Sequence, residues 1–284
     1  MRKRRRKNLK ISVSEGFGFC SGVSRAIKMA LSAAARSPSG VYSLGPLIHN
    51  PQVVEKLREV GVAPLSRLGR GKGVIVVRSH GASPAVLERA RKKGYEIVDA
   101  TCPFVQVAQR NARNLHDLGY RVLIVGEKQH PEVKGLKSQI QNKAIVVENA
   151  GQVKHLKFGS KVGIIAQTTM SVDTFAEVVG EVIKRAREVL VFNTICSETA
   201  RRQATARALA GQVDVLLVVG GRNSANTSRL RSLCSSICPR TYHVETADEI
   251  DPEWFDRDSR VGVVAGASTP RWLVENIVER LKSF

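Results

Sequence analysis

The stretch "VIVVRSHGASPAVLERARKKG", residues 74–94, holds the pattern from which the rest of the chain can be read. A run of apolar residues ends in the polar group Arg78, Ser79, His80; Ser83 and Pro84 then open an amphipathic segment that Gly94 closes. A continuous apolar run suits a strand covered on both faces. Serine and proline suit a helix start, where the first N–H groups have no intrahelical partner, and glycine suits the residue past its end. The pattern recurs. "VYSLGPLIHN" leads into "PQVVEKLREVG", "YEIVDATC" into "PFVQVAQRNARNLHDLG", and "VLIVGEKQH" into "PEVKGLKSQI". "VGIIAQTTMS", "LVFNTIC", "VDVLLVVGGRNSANTS" and "VGVVAGAST" each precede a further helix-like segment. Strands alternating with helices predict parallel sheets with helices on their faces, an α/β fold.

Three cysteines divide the chain into nearly equal thirds: Cys20, Cys102 and Cys196. The spacing predicts three similar small parallel-sheet α/β lobes around a shared centre, with boundaries near residues 101 and 194. The expected division is a basic N-terminal tail at 1–10 and lobes at 11–100, 101–193 and 194–284. No self-similarity marks a true repeat. Lobes of this size are marginal alone, so mutual packing is expected.

Composition narrows the class. With 43% apolar residues, the 284-residue chain can build real cores. Five cysteines without an apolar secretory segment suggest a cytoplasmic protein with reduced or metal-bound thiols. The apolar run "VDVLLVV" is too short to cross a bilayer. Part of the +20 charge lies in "MRKRRRK", which has the form of neither a signal nor a transit peptide; the rest lies mostly on helix faces such as "ERARKKG". Such a surface is solvated and draws acidic partners or anionic substrates. Aromatic residues, at 5%, are too few and scattered to form base-stacking platforms, so a nucleic-acid role is disfavoured.

In parallel sheets, ligands bind beyond the carboxyl ends of the strands. The reactive residues fall there: His49, His80, Cys102, His130 with Glu132, Thr168 with Thr169, Cys196, Ser224 with Asn226, and Ser268 with Thr269. Cys20 sits among Gly16, Gly18 and Gly22 in "GFGFCSGVSRA", residues 16–26, at the mouth of another helix. A helix N-terminus favours thiolate, and three such cysteines point to joint metal ligation. Zinc with a histidine and an iron–sulfur cluster with one iron not held by cysteine both fit, and spacing alone does not choose. Cys234 and Cys238 read as packing residues, and His116, His155 and His243 as surface or satisfied histidines. Several helix starts with three histidines and the Ser224, Asn226 and Ser268 tips suit a diphosphate. Glu132 has the position for acid–base work, and Thr168 or Thr169 for hydroxyl recognition or proton relay.

These motifs, taken in order, resemble the reductases that act on 4-hydroxy-3-methylbut-2-enyl diphosphate at the end of the non-mevalonate isoprenoid route. The resemblance lies in "GFCSGVSRAI", "LGPLIHN", "VRSHG", "DATCPFV", "HPEV", "AQTTMS", "NTIC" with the following "RQ", "RNSANT" and "GASTP", and runs from about Lys10 to the C-terminus. It implies a [4Fe–4S] cluster at the centre of the three lobes, one per chain, held by Cys20, Cys102 and Cys196, with the fourth iron open as a Lewis acid toward the allylic oxygen. It further implies that His49, His80, His130, Ser224, Ala225, Asn226 and Ser268 bind the diphosphate. Glu132 would deliver protons, and Thr168 or Thr169 would fix the hydroxyl. A ferredoxin or flavodoxin would supply two electrons. Two departures stand out. Ala225 replaces a serine common in the family, a lost hydroxyl worth ~0.5–3 kcal/mol, and the arginine-rich tail lies outside the shared pattern. Quinolinate synthase, another three-cysteine cluster enzyme, would carry other motifs around its cysteines. From a different class, a basic nucleic-acid-binding protein with structural zinc would need neither Glu132 nor the threonine pair.

Overall fold

The apolar runs form strands and the amphipathic segments that follow them form helices. The computed structural model describes residues 7–69 and 71–284; most of the arginine-rich segment lies outside them. In the first part of the chain the elements are β1 (Lys10–Val13), α1 (Ser21–Arg36), β2 (Val41–Leu44), α2 (Pro51–Glu59), β3 (Val62–Leu65), β4 (Gly73–Val77), α3 (Pro84–Lys92) and β5 (Tyr95–Asp99). Then come α4 (Pro103–Asp117), β6 (Arg121–Val125), α5 (Pro131–Ser138), β7 (Ile145–Val147), α6 (Ala150–Val153), β8 (Lys161–Ala166), α7 (Val172–Ile183) and β9 (Glu188–Phe192). The last part holds α8 (Ser197–Ala210), β10 (Val215–Val219), α9 (Ala225–Ser235), β11 (Thr241–Val244), β12 (Arg260–Ala265) and α10 (Arg271–Lys282).

Among the described residues these strands make three four-stranded sheets, ordered β3-β2-β4-β5, β7-β6-β8-β9 and β1-β12-β10-β11, with parallel pairing throughout. The α/β reading therefore holds. The chain forms two compact units. One comprises the described residues through Cys20, His49–Val53 and Glu198–Phe284, and holds the β1-β12-β10-β11 sheet. The other comprises Ser21–Ile48 and Val54–Ser197, and holds the remaining two sheets.

The first strand departs from the expected division. Residues 11–13, at the start of the first expected lobe, lie in β1, which pairs with β12, Lys10 against Arg260 through Val13 against Val263. Its apolar side chains explain the choice: Leu9, Ile11, Val13 and Phe17 pack on the core formed by Val261, Val263, Leu273 and Ile277. Part of the expected tail is also structured, since the N–H groups of Lys7, Asn8 and Lys10 donate to the carbonyls of Phe284, Arg257 and Ser259.

Cores form by the two-residue alternation of strands. In the β6–β8 sheet, Leu123, Val125, Ile164 and Ala166 face a cluster with Phe175 and Val178 of α7, while Val122, Ile124 and Ile165 face Ala108, Ala112 and Leu115 of α4. In the β10–β12 sheet, Val215, Leu217 and Val219 face α10, and Leu216 and Val218 face α8 and α9. Helix α8 is the exception among the long helices. Its buried positions include Thr199, Arg202 and Gln203 as well as alanines, so it presents polar groups inward. Among the described residues no helix is long and apolar enough to cross a membrane.

Candidate functional site

In the second unit the site begins at the start of α5. Pro131 occupies the first helical position, and His130 caps the helix, its Nδ1 accepting the Glu132 N–H at 3.2 Å. This places the Glu132 carboxyl in the interior, 1% exposed, facing the carboxyl end of β8. There Thr168 donates twice: its N–H to Oε1 at 2.6 Å and its hydroxyl to Oε2 at 2.8 Å. Burial pushes the Glu132 carboxyl up to about 7, against the lowering effect of those two bonds. A carboxyl poised near neutrality is suited to giving and taking protons at physiological pH.

The two threonines have different partners. Thr168 serves Glu132, whereas the Thr169 hydroxyl accepts from Gln167 Nε2 at 2.8 Å. Gln167, fully buried, accepts the Glu127 N–H at 2.9 Å through Oε1 and so fixes the loop that leads to His130. His80 lies in a turn closed by Gly81 N–H donating to the Arg78 carbonyl, and its ring meets that of His130 edge-on at 5.3 Å.

In the first unit the start of α9 is the corresponding feature. Ser224 caps the helix and accepts the Thr227 N–H at 3.3 Å. Ala225 follows at the first helical position. Asn226 is 4% exposed, yet neither Nδ2 nor Oδ1 has a hydrogen-bond partner among the described residues. Burying a carboxamide unpaired is unfavourable, so this group is suited to a ligand that completes it. The Ser268 hydroxyl donates to the His49 carbonyl at 3.3 Å. Gly221 makes the His49 position possible, because a Cβ there would stand 2.4 Å from the same carbonyl oxygen.

Each of Cys20, Cys102 and Cys196 is half-buried and immediately precedes a helix, α1, α4 and α8 respectively. Their N–H groups share one device. Cys20 donates to the Ala267 carbonyl at 3.0 Å, Cys102 to Ser79 at 3.0 Å, and Cys196 to Thr168 at 2.9 Å. Every acceptor is, or directly precedes, an expected substrate-binding residue: Ser268, His80 and Thr168. Each cysteine is thus a thiol at a helix start with an anchored main chain, and thiols so placed have the donor chemistry that an iron–sulfur cluster takes.

Cys234 and Cys238 do not share these properties. Both are buried in the core with Leu216, Val218 and Leu230, and burial pushes the Cys234 thiol up to about 12, which disfavours ligation. Cys234→Ala is expected to lower stability by about 1 kcal/mol through a small cavity. It should leave iron content and turnover unchanged, as thermal unfolding and metal analysis would show. His243 is satisfied through Nε2 against the Gly220 carbonyl at 2.8 Å, and His155 is exposed.

Of the expected site residues, the first unit carries Cys20, His49, Ser224, Ala225, Asn226 and Ser268. The second carries His80, Cys102, His130, Glu132, Thr168, Thr169 and Cys196. Three supporting residues escaped the reading of the sequence: Gln167, Arg202 and Gly221. Gln167 adjoins the threonine pair and could have been suspected. Arg202 lies in the "RQ" that follows "NTIC", yet nothing in that motif assigns it a role, and the role of Gly221 depends on a loop remote in sequence.

A family model described as LytB protein matches residues 11–282. A curated relative from Geobacter metallireducens named 4-hydroxy-3-methylbut-2-enyl diphosphate reductase is 48% identical over 275 residues, covering 96% of this chain and 97% of the relative. A relative of the same name from Geobacter sulfurreducens is 48% identical over 277 residues, covering 97% and 98%. A solved structure of (E)-4-hydroxy-3-methyl-but-2-enyl diphosphate reductase, described as the terminal enzyme of the non-mevalonate pathway, aligns with a TM-score of 0.69 at 44% identity, over 97% of this chain and 99% of its own. The Plasmodium falciparum reductase structure aligns with a TM-score of 0.90 at 26% identity, over 96% and 87%. With matches that run nearly end to end in sequence and in fold, the chain belongs to the LytB family.

Proposed function

We propose that this protein reduces (E)-4-hydroxy-3-methylbut-2-enyl diphosphate to isopentenyl and dimethylallyl diphosphates, the last step of the non-mevalonate isoprenoid route. Two electrons and two protons balance the reaction: one proton leaves with the allylic hydroxyl as water, and the other enters the carbon skeleton. The observation that carries this reading is the buried Glu132 carboxyl, held by Thr168 and poised near pH 7. When bound, a [4Fe–4S] cluster on Cys20, Cys102 and Cys196 supplies the electrons and one iron not held by cysteine.

The chain's own groups do the rest. His49, His80, His130, Ser224, Asn226 and Ser268 take the diphosphate, with Asn226 gaining the partners it lacks. Thr168 orients the Glu132 carboxyl through N–H and hydroxyl, and the protonated carboxyl delivers protons inside a site from which its burial excludes bulk water. Ala225 leaves the α9 start one hydroxyl short of the common family pattern. A ferredoxin or flavodoxin, commonly acidic, suits a chain of net charge +20 as electron donor, and reduced thiols suit a cytoplasmic setting.

Anaerobically purified protein should show the broad visible absorption of a [4Fe–4S] centre, with matching iron and sulfide, that shifts on adding the substrate. A colourless zinc protein whose nucleic-acid binding falls steeply with salt would overturn the reading in favour of the nucleic-acid alternative. Within the site, Asn226→Ala is expected to raise the KM for substrate about tenfold, the equivalent of one charge-assisted hydrogen bond, with iron content unchanged. Steady-state kinetics beside metal analysis checks it.

A further inference from the structure

Helix α8 buries a guanidinium that the reaction does not explain. Arg202 is 5% exposed; its Nη2 donates to the Gly18 carbonyl at 2.7 Å and its Nη1 to the Ala265 carbonyl at 3.3 Å. Burying a guanidinium is costly and is offset by hydrogen bonds to its donors, and the planar fork of arginine reaches two acceptors at once where lysine offers a point charge. Both acceptors have the same kind of neighbour. Gly18, at a φ of 100°, orients the loop that reaches Cys20 two residues later. Ala265 ends β12 and opens the turn closed by Thr269 N–H on the Gly266 carbonyl, which presents Ser268. The two segments are further joined by the Cys20 N–H on the Ala267 carbonyl.

We propose that Arg202 is a positioning residue that sets Cys20 and Ser268 relative to one another, so that one side chain holds both a cluster ligand and a substrate contact. The roles of Cys20 and Ser268 rest on the reductase reading; the coupling of their segments does not. A neutral side chain at 202 leaves the helix in place but releases the Gly18 and Ala265 carbonyls, and the two loops then move independently.

The test uses Arg202→Met and Arg202→Lys beside the wild-type chain. In metal-free protein, amide hydrogen exchange at residues 18–20 and 266–268 is expected to be about tenfold faster in Arg202→Met, with the amides around Glu132 and Thr168 unchanged, the scale of one lost hydrogen bond. In reconstituted protein, the same variant should alter the electron paramagnetic resonance of the reduced cluster and raise KM by a larger factor than it lowers kcat. Arg202→Lys should fall between the two in every readout, and it decides the matter if Arg202→Met fails to fold. Exchange that is unchanged, or uniformly faster across the first unit, would overturn the proposal. A wild-type chain that binds no cluster would sink the reductase reading, while the exchange pattern would still decide the coupling.

Discussion

Glu132→Gln should keep the cluster and bind substrate within a few-fold of normal, yet lose turnover by about 10²–10⁴-fold, the range removed with a general acid. The amide fills the same volume and can still accept the Thr168 N–H, so packing is conserved while the transferable proton is gone. The wild-type rate should fall as pH rises above about 7, where the carboxyl empties, and the variant's residual rate should lack that limb. Stability moves in the same sense. The folded-state value of about 7 lies above the ordinary 4.5, so the carboxyl's contribution is fully present below about pH 4.5 and is lost as pH rises through 7. Glu132→Gln is thus expected to be more stable than the wild type at pH 8 by about 3 kcal/mol, and nearly equal to it at pH 4. Denaturant titrations at the two pH values separate this from a general packing effect. Near-normal turnover would remove Glu132 from the proton path.

Cys102→Ser is expected to abolish turnover altogether. A serine hydroxyl is far harder to deprotonate than a thiol at the start of α4, and two remaining cysteines cannot hold a cluster that three share. The backbone should be spared, because the residue still caps the helix and its N–H still reaches the Ser79 carbonyl. The signature is a folded, colourless protein with little iron or sulfide per chain. An intact cluster in this variant would sink the ligand assignment, since Cys234 and Cys238 lie in the core and offer no substitute.

Much of the fold was legible because helix starts and apolar runs are local. Pro103 and Pro131 open helices as their fixed φ requires, and the central strands β6 and β10 are buried along nearly their whole length, as their unbroken apolar runs imply. The placement of β1 was not legible. "KISV" carries too little pattern to reveal that its cover lies at the other end of the chain. The candidate site divides the same way. Cysteines and histidines announce themselves by type, and the strand-end position of Glu132 raised it above an ordinary first-turn carboxylate. Which threonine serves it depends on the hydrogen bonds of Gln167, which no spacing encodes. Arg202 belongs to the quoted "RQ" motif, but its role was hidden because its acceptors are main-chain carbonyls, equally present in any sequence.

The pairing of β1 with β12 also orders the protein's making. Lys10 is synthesised 250 residues before its strand partner Arg260. The sheet that supports the Cys20 loop therefore closes only after β12 has been made, a contact of very high sequence separation and correspondingly slow formation. The acceptor for the Cys20 N–H, Ala267, arrives later still. A polypeptide that stops before β12 therefore lacks the groups that hold the Cys20 segment in place.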